Sequence, residues 1–298
     1  MGRKKTPMEK VRKTYANCPT ASLYVERFGN YREFLDTLDA RKGEEKKGWE
    51  QRTPLDSWNG VTSWDEAYKL LLDGWEKPVK NIEMNFDKSL MKVREKSRRK
   101  TFANVAGFAP IPAHAVMNLP NSMLDQRMEA RKTKVLDFLI MIDRACKNSA
   151  SEIEKRMSEQ LAGIASLERD YGYRCRINVA FSAFSGSPRS NKVNVGCILK
   201  VKDESQPFDI KRLAFPIVHA GMLRALMFRW ERTLTAKDAL DMQYDGYHEG
   251  GFGTSYEKWF SGKKEEFAKM VTDPKAKVIV LDFDSKVEDV IQNETGRR

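Results

Sequence analysis

The chain has 298 residues, 41% of them hydrophobic, and carries 53 Lys and Arg against 42 Asp and Glu, a formal net charge of +11. Its apolar content is enough for a sizeable core, which excludes a wholly disordered chain. No run approaches the roughly 18 apolar residues of a membrane span, which excludes an integral membrane protein.

The basic start Met1-Gly2-Arg3-Lys4-Lys5 is followed by no apolar segment, so no signal peptide is expected. Tyr31, Phe34, Leu35 and Leu38 recur at helical spacing and predict a short amphipathic helix over 30–38. Arg41–Gln51 is polar and broken by glycines, the pattern of a loop. A second helix starts at Thr62 or Ser63, either of which can cap it, with Asp65 and Glu66 in its first turn, and stops at Gly74. A further helix is expected from Trp75 through Met84 to Arg99. Prolines 110, 112 and 120 then forbid continuous helix, and 101–123 reads as an ordered, extended crossing.

From Arg131 the pattern alternates. Val135–Ile142 is almost wholly apolar, as a strand buried on both faces would be. A polar turn (Asp143–Ser149) and a helix over 151–171 follow, the latter with Ile153, Met157, Leu161, Ile164, Ala165 and Leu167 on one stripe and Gly172 at its end. Strands are expected over 174–184, 194–201 and 277–283, and a helix pair over 208–230. Strand, helix, strand in this order favours a right-handed crossover in a largely parallel sheet.

The unit from Val135 to Phe184, with its apolar strand ending in Asp143, long helix, Gly172-Tyr173 and second apolar strand, resembles the opening of von Willebrand factor A-type domains. That family places a metal at Asp-x-Ser-x-Ser. The positions here are Asp143-Arg144-Ala145-Cys146-Lys147, without either serine and with two added cations. The resemblance therefore implies the fold with a degenerate metal site, and Asp143 is only a weak metal candidate.

Roughly residues 60–232 are similar to an uncharacterised family of tailed-bacteriophage proteins. The matching stretches are Ser63-Trp64-Asp65-Glu66-Ala67 with Gly74-Trp75, Val116–Met123, the strand–helix–strand unit, and Phe215–His219 leading to Arg224–Phe228. That resemblance implies a phage origin, in host cytoplasm or virion, and no particular chemistry. The expected architecture is α/β. A basic helical region (1–100) and a Pro-containing crossing (101–130) precede a Rossmann-like, von Willebrand A-like, largely parallel sheet flanked by helices (131–298).

The charge is uneven: the first hundred residues hold 23 Lys and Arg against 16 Asp and Glu. Its peak is 92–100, with Lys92, Arg94, Lys96, Arg98, Arg99 and Lys100 against Glu95, and Lys4 and Lys5 add to the N-terminal excess. Clustered cations release counterions on meeting phosphates, so these eight residues are the candidate nucleic-acid contacts. Trp49, Trp58, Trp64 and Trp75 can stack bases, or Trp64 and Trp75 can anchor the core.

Asp137, Asp143, Asp282 and Asp284 are the carboxylates that a metal-dependent phosphoesterase would use, although a turn or cap role accounts for Asp143 more simply. His219, in Phe215–Gly221, reads better as a buried, hydrogen-bonded histidine than as a catalytic base. The Gly-rich stretch 247–255 lacks the Lys-Ser/Thr ending of a P-loop. Cys18, Cys146, Cys175 and Cys197 lack zinc spacing, and a reducing compartment fits them.

The expected function is a non-enzymatic phage accessory protein contacting nucleic acid through its basic first third, without a cofactor or membrane. The alternatives are a virion assembly or protein-interaction component, with a phage or host protein as partner, and the phosphoesterase.

Overall fold

The computed structural model describes residues 9–12, 22–41, 59–77, 99–128, 134–143, 148–169, 171–185, 193–233 and 278–295. In chain order the elements are β1 (Glu9–Arg12), β2 (Ser22–Phe28), α1 (Tyr31–Ala40), α2 (Trp64–Asp73), β3 (Arg99–Asn104), β4 (Ala109–Pro110), α3 (Pro112–Val116), β5 (Met123–Met128) and β6 (Val135–Met141). They continue with α4 (Ala150–Arg169), β7 (Arg174–Ser185), β8 (Val193–Lys202), α5 (Ile210–Val218), a π-helical turn (Met222–Met227), α6 (Phe228–Thr233), β9 (Val278–Leu281) and α7 (Val287–Thr295).

The protein is mixed α/β. Six strands form one sheet in the order β1-β2-β8-β7-β6-β9. The pairings β2/β8, β6/β7 and β6/β9 are parallel, while β1/β2 and the β7–β8 hairpin are antiparallel. The expected β6–α4–β7 unit is present with its parallel register, Val135 opposite Arg174 to Met141 opposite Ala180. Leu136, Phe138 and Ile140 enter the main core with Ile177, Val179 and Leu199, against α1, α2, α4 and α5. Leu139, Met141, Ala180 and Ile198, on the alternate positions, are also buried. Burial on both faces explains why these strands read as continuous apolar runs.

The described part of the first hundred residues holds strands as well as helices: β2 pairs with β8, and Phe28, Phe34, Leu38, Leu71 and Trp75 join the same core as the later strands. The signal was hidden by Glu26, a fully buried charge in the middle of β2. It is held by both guanidinium nitrogens of Arg41 (3.0 and 2.6 Å) and by the Trp230 indole N–H (2.7 Å). The crossing at 101–130 is in fact a small sheet of its own, order β3-β5-β4, with α3 inserted before β5. Arg99, placed at the end of a helix by the sequence pattern, instead opens β3; residues 78–98 lie outside the described residues.

Local chemistry sets the helix starts. Asn30 caps α1 by accepting from Glu33 N–H (2.9 Å). Ser63 caps α2 (3.1 Å), and Thr62 donates both its N–H and its hydroxyl to Glu66 (2.7 Å each), so the two alternatives act together. Gly74 ends α2 with φ +90°, and a Cβ there would meet the Lys211 carbonyl at 2.8 Å, the group that accepts from Trp75 N–H.

Candidate nucleic-acid interface

Of the eight candidate contacts, Lys4, Lys5, Lys92, Arg94, Lys96 and Arg98 lie outside the described residues. Arg99 and Lys100 form the first two positions of β3. The antiparallel register sets Arg99 opposite Met128 and Lys100 opposite Arg127, with Asn104 opposite Met123 at the far end. The chain therefore enters β3 and leaves β5 at the same end of the ribbon. Arg99, Lys100 and Arg127, far apart in sequence, thus occupy neighbouring backbone positions at one end of the ribbon. Lys134 is exposed beside β6, its Nζ 5.7 Å from the centre of the Tyr173 ring.

The other end of the ribbon is apolar. Phe108 N–H donates to the Leu124 carbonyl (2.8 Å) and Ile111 N–H to Ser122 (2.7 Å), folding the tip back on β5. Yet Val105, Phe108, Val116, Met117 and Leu119 are exposed, Val116 by 87%. Sequence reasoning singled out the cations of 92–100 and passed over those of 127–134; only strand pairing shows that Lys100 and Arg127 are neighbours.

The aromatic candidates divide. Trp75 is buried edge-on against His219 (4.4 Å between ring centres), and the Arg229 guanidinium lies 5.0 Å over Trp64, so both serve the interior as anchors. Trp49 and Trp58 lie outside the described residues.

The carboxylates are held by neighbours. Asp143 follows β6, is buried, and accepts from the Ser182 N–H (3.1 Å) and hydroxyl (2.8 Å), fastening β6 to β7. Arg144–Lys147 lie outside the described residues. Asp282 and Asp284 follow the adjacent β9. Asp282 accepts from Ser285 and from Asp284 N–H, and Asp284 pairs with Arg156 at 2.9 Å. Asp137 sits inside β6 with Arg176 at 3.0 Å, and burial raises its carboxyl above the usual range despite that cation. Among the described residues no group of three or more His, Cys, Asp or Glu could hold a metal ion.

His219 is a buried, hydrogen-bonded side chain. Its Nδ1 accepts from Gly221 N–H (2.9 Å) and its ring stacks on Phe215 (5.0 Å), and burial pushes its pKa down to about 4. Cys175 and Cys197 are fully buried free thiols, both pushed up by desolvation. Arg224 donates to the Asn148 carbonyl (2.6 Å) and Arg229 to the Tyr68 hydroxyl (2.9 Å). The Gly-rich stretch 247–255 lies outside the described residues.

The geometry thus defines a mixed α/β protein with a mostly parallel sheet flanked by helices, together with a separate three-stranded antiparallel sheet. The family model for a domain of unknown function, DUF7192, matches residues 6–290, and the chain belongs to that family. No curated protein and no solved structure matches the chain. No helix among the described residues is long and apolar enough to cross a membrane.

Proposed function

We propose that the protein is a non-enzymatic accessory protein that binds nucleic acid through the basic end of the β3–β5 ribbon. The observation that carries this reading is the register that sets Lys100 opposite Arg127, beside Arg99, at one end of the ribbon. Each phosphate neutralised releases counterions, which supplies affinity without sequence specificity. The engagement of Asp143 by Ser182 and of Asp284 by Arg156 favours binding over phosphoesterase chemistry. The tailed-phage setting implied by the resemblance, in host cytoplasm or virion, belongs to the same proposal.

Fluorescence anisotropy with labelled duplex DNA and with RNA tests it. The expected result is binding at about 50 mM salt that weakens steeply as salt rises. Replacing Arg99, Lys100 and Arg127 by Glu lowers the salt slope on duplex DNA by about 0.9 for each phosphate left without its cation. Absence of binding to both nucleic acids at low salt rejects the reading.

The exposed apolar tip favours a second reading, a protein-interaction or assembly role in which Phe108 and Met117 meet a partner. It predicts self-association or co-purification with a virion protein that Phe108→Ser and Met117→Ser together abolish. Light scattering that finds only a monomer argues against the self-assembly form.

A further inference from the structure

β2 and β8 are adjacent and parallel, and each runs through a turn into a helix. β2 passes Gly29 and Asn30 into α1, while β8 passes Asp203–Phe208 into α5, which Asp209 caps by accepting from Arg212 N–H. In α/β sheets the crevice beyond the carboxyl ends of parallel strands is where ligands gather. Here it is a cavity of about 700 Å³, within the range of roughly 300–1,000 Å³ typical of small-molecule sites. Its two walls are tied together, because the Tyr31 hydroxyl lies 3.3 Å from the Val201 carbonyl and 3.4 Å from the Arg212 carbonyl.

The lining is chemically divided. Lys202 is buried and committed to Glu168 (2.6 Å) and the Cys175 carbonyl, and Lys200 is paired with Asp203 (3.1 Å). Arg32 and Arg212, in the first turns of α1 and α5, have no ion pair or side-chain hydrogen bond among the described residues. On the opposite turn Asp203, whose carboxylate accepts from Lys200 and from Ser205, and Gln206, whose Oε1 accepts from the Asp203 N–H, line the wall, and Leu72 and Pro207 supply apolar surface. A bare inorganic anion gains little here, since Asp203 and Asp209 share the wall with the arginines. A ligand with a phosphate at one end and hydroxyls on a partly apolar body uses every part of the lining.

From this division we infer that the cavity binds a phosphate monoester of nucleoside type, with Arg32 and Arg212 on the phosphate and Asp203 facing the hydroxyls. A free nucleoside monophosphate and the 5′-phosphorylated end of a strand share that chemistry. The site is separate from the ribbon and does not depend on the ribbon's function. Both arginines are exposed, so their replacement spares the core.

Equilibrium dialysis of the full chain with labelled AMP and UMP tests the inference, with adenosine as the phosphate-free control. At least one nucleotide is retained at about 1 mM. Arg32→Gln with Arg212→Gln weakens that retention roughly tenfold or more, and adenosine binds as weakly as AMP does to the double variant. Retention of neither nucleotide, or equal retention by the double variant, overturns the inference. The source is read by competition in an Arg99→Glu, Lys100→Glu background. Displacement of AMP by a 5′-phosphorylated oligonucleotide but not by its 5′-hydroxyl form assigns a strand end, and displacement by mononucleotides alone assigns a free nucleotide. Nucleotide retention that is unchanged in that background separates failure of this site from failure of the ribbon.

Discussion

The six-stranded sheet and the β3–β5–β4 ribbon treat their polar and apolar groups in opposite ways. In and around the sheet, charge goes inside only with an answer: Glu26 is met by Arg41 and Trp230, and Lys202 by Glu168 and two carbonyls. In the ribbon, Val105, Phe108, Val116 and Met117 are exposed at one end, and Arg99, Lys100 and Arg127 occupy the other. The sheet's unusual residues are therefore explained by the fold, whereas the ribbon's large apolar side chains stay exposed to solvent. Breaking a buried pair leaves the other charge unanswered, so Glu26→Ala, which orphans Arg41, is the most disruptive test. It should cost about 3–5 kcal/mol of stability in urea unfolding, and a loss under about 1 kcal/mol would mean that the network is not what holds β2 in place.

A smaller effect comes from pH. His219 is held neutral by burial with a pKa near 4, with Glu66 partly opposing and Lys77 reinforcing the shift. An unfolded histidine titrates near 6.5, so between about pH 6.5 and 4 the unfolded chain takes up a proton that the folded chain refuses. Stability contributed by the neutral ring is complete above pH 6.5, falls as pH drops through this window, and levels off below 4. The full span is on the order of 3 kcal/mol. In His219→Gln, the urea midpoint should depend less on pH than in the parent over this window; an identical dependence would assign the acid sensitivity elsewhere.

What was legible in the sequence follows from the same contrast. The β6–α4–β7 unit could be read because every strand position from Leu136 to Met141 apart from Asp137 is buried and apolar, and because α4 shows a clean stripe ended by Gly172 at φ +68°. The Ser63 start of α2 and the buried role of His219 could be read for equally local reasons. β2 could not, because its central Glu26 is neutralised by residues 15 and 204 positions away, a compensation that no window along the chain contains. The ribbon was hidden by its own composition: prolines and short strands read as a crossing, and the pairing that brings Arg127 to Lys100 is non-local. The same blindness hid the cavity, since both of its strands had to be known to be neighbours.

The ribbon can be loosened without touching the core. A Cβ on Gly107 would collide with the Leu124 carbonyl, so Gly107→Ala must push β5 away from the tip. Hydrogen exchange should accelerate over 99–128 and stay unchanged over 135–141. Equal acceleration in both would show that ribbon and sheet open as one unit.

The smallest expected change is the sharpest test of the contrast. Phe108 and Met117 are each 63% exposed, so replacing both by Ser removes little buried surface. Unfolding free energy should stay within about 0.5 kcal/mol of the parent. Nucleic-acid affinity should also hold, because Arg99, Lys100 and Arg127 occupy the opposite end of the ribbon. If the double variant loses stability by more than that, the tip is packed against the rest of the protein and its apolar residues are structural. If stability and nucleic-acid binding both hold while self-association disappears, the ribbon has two working ends, one for charge and one for apolar contact, carried on a scaffold that needs neither.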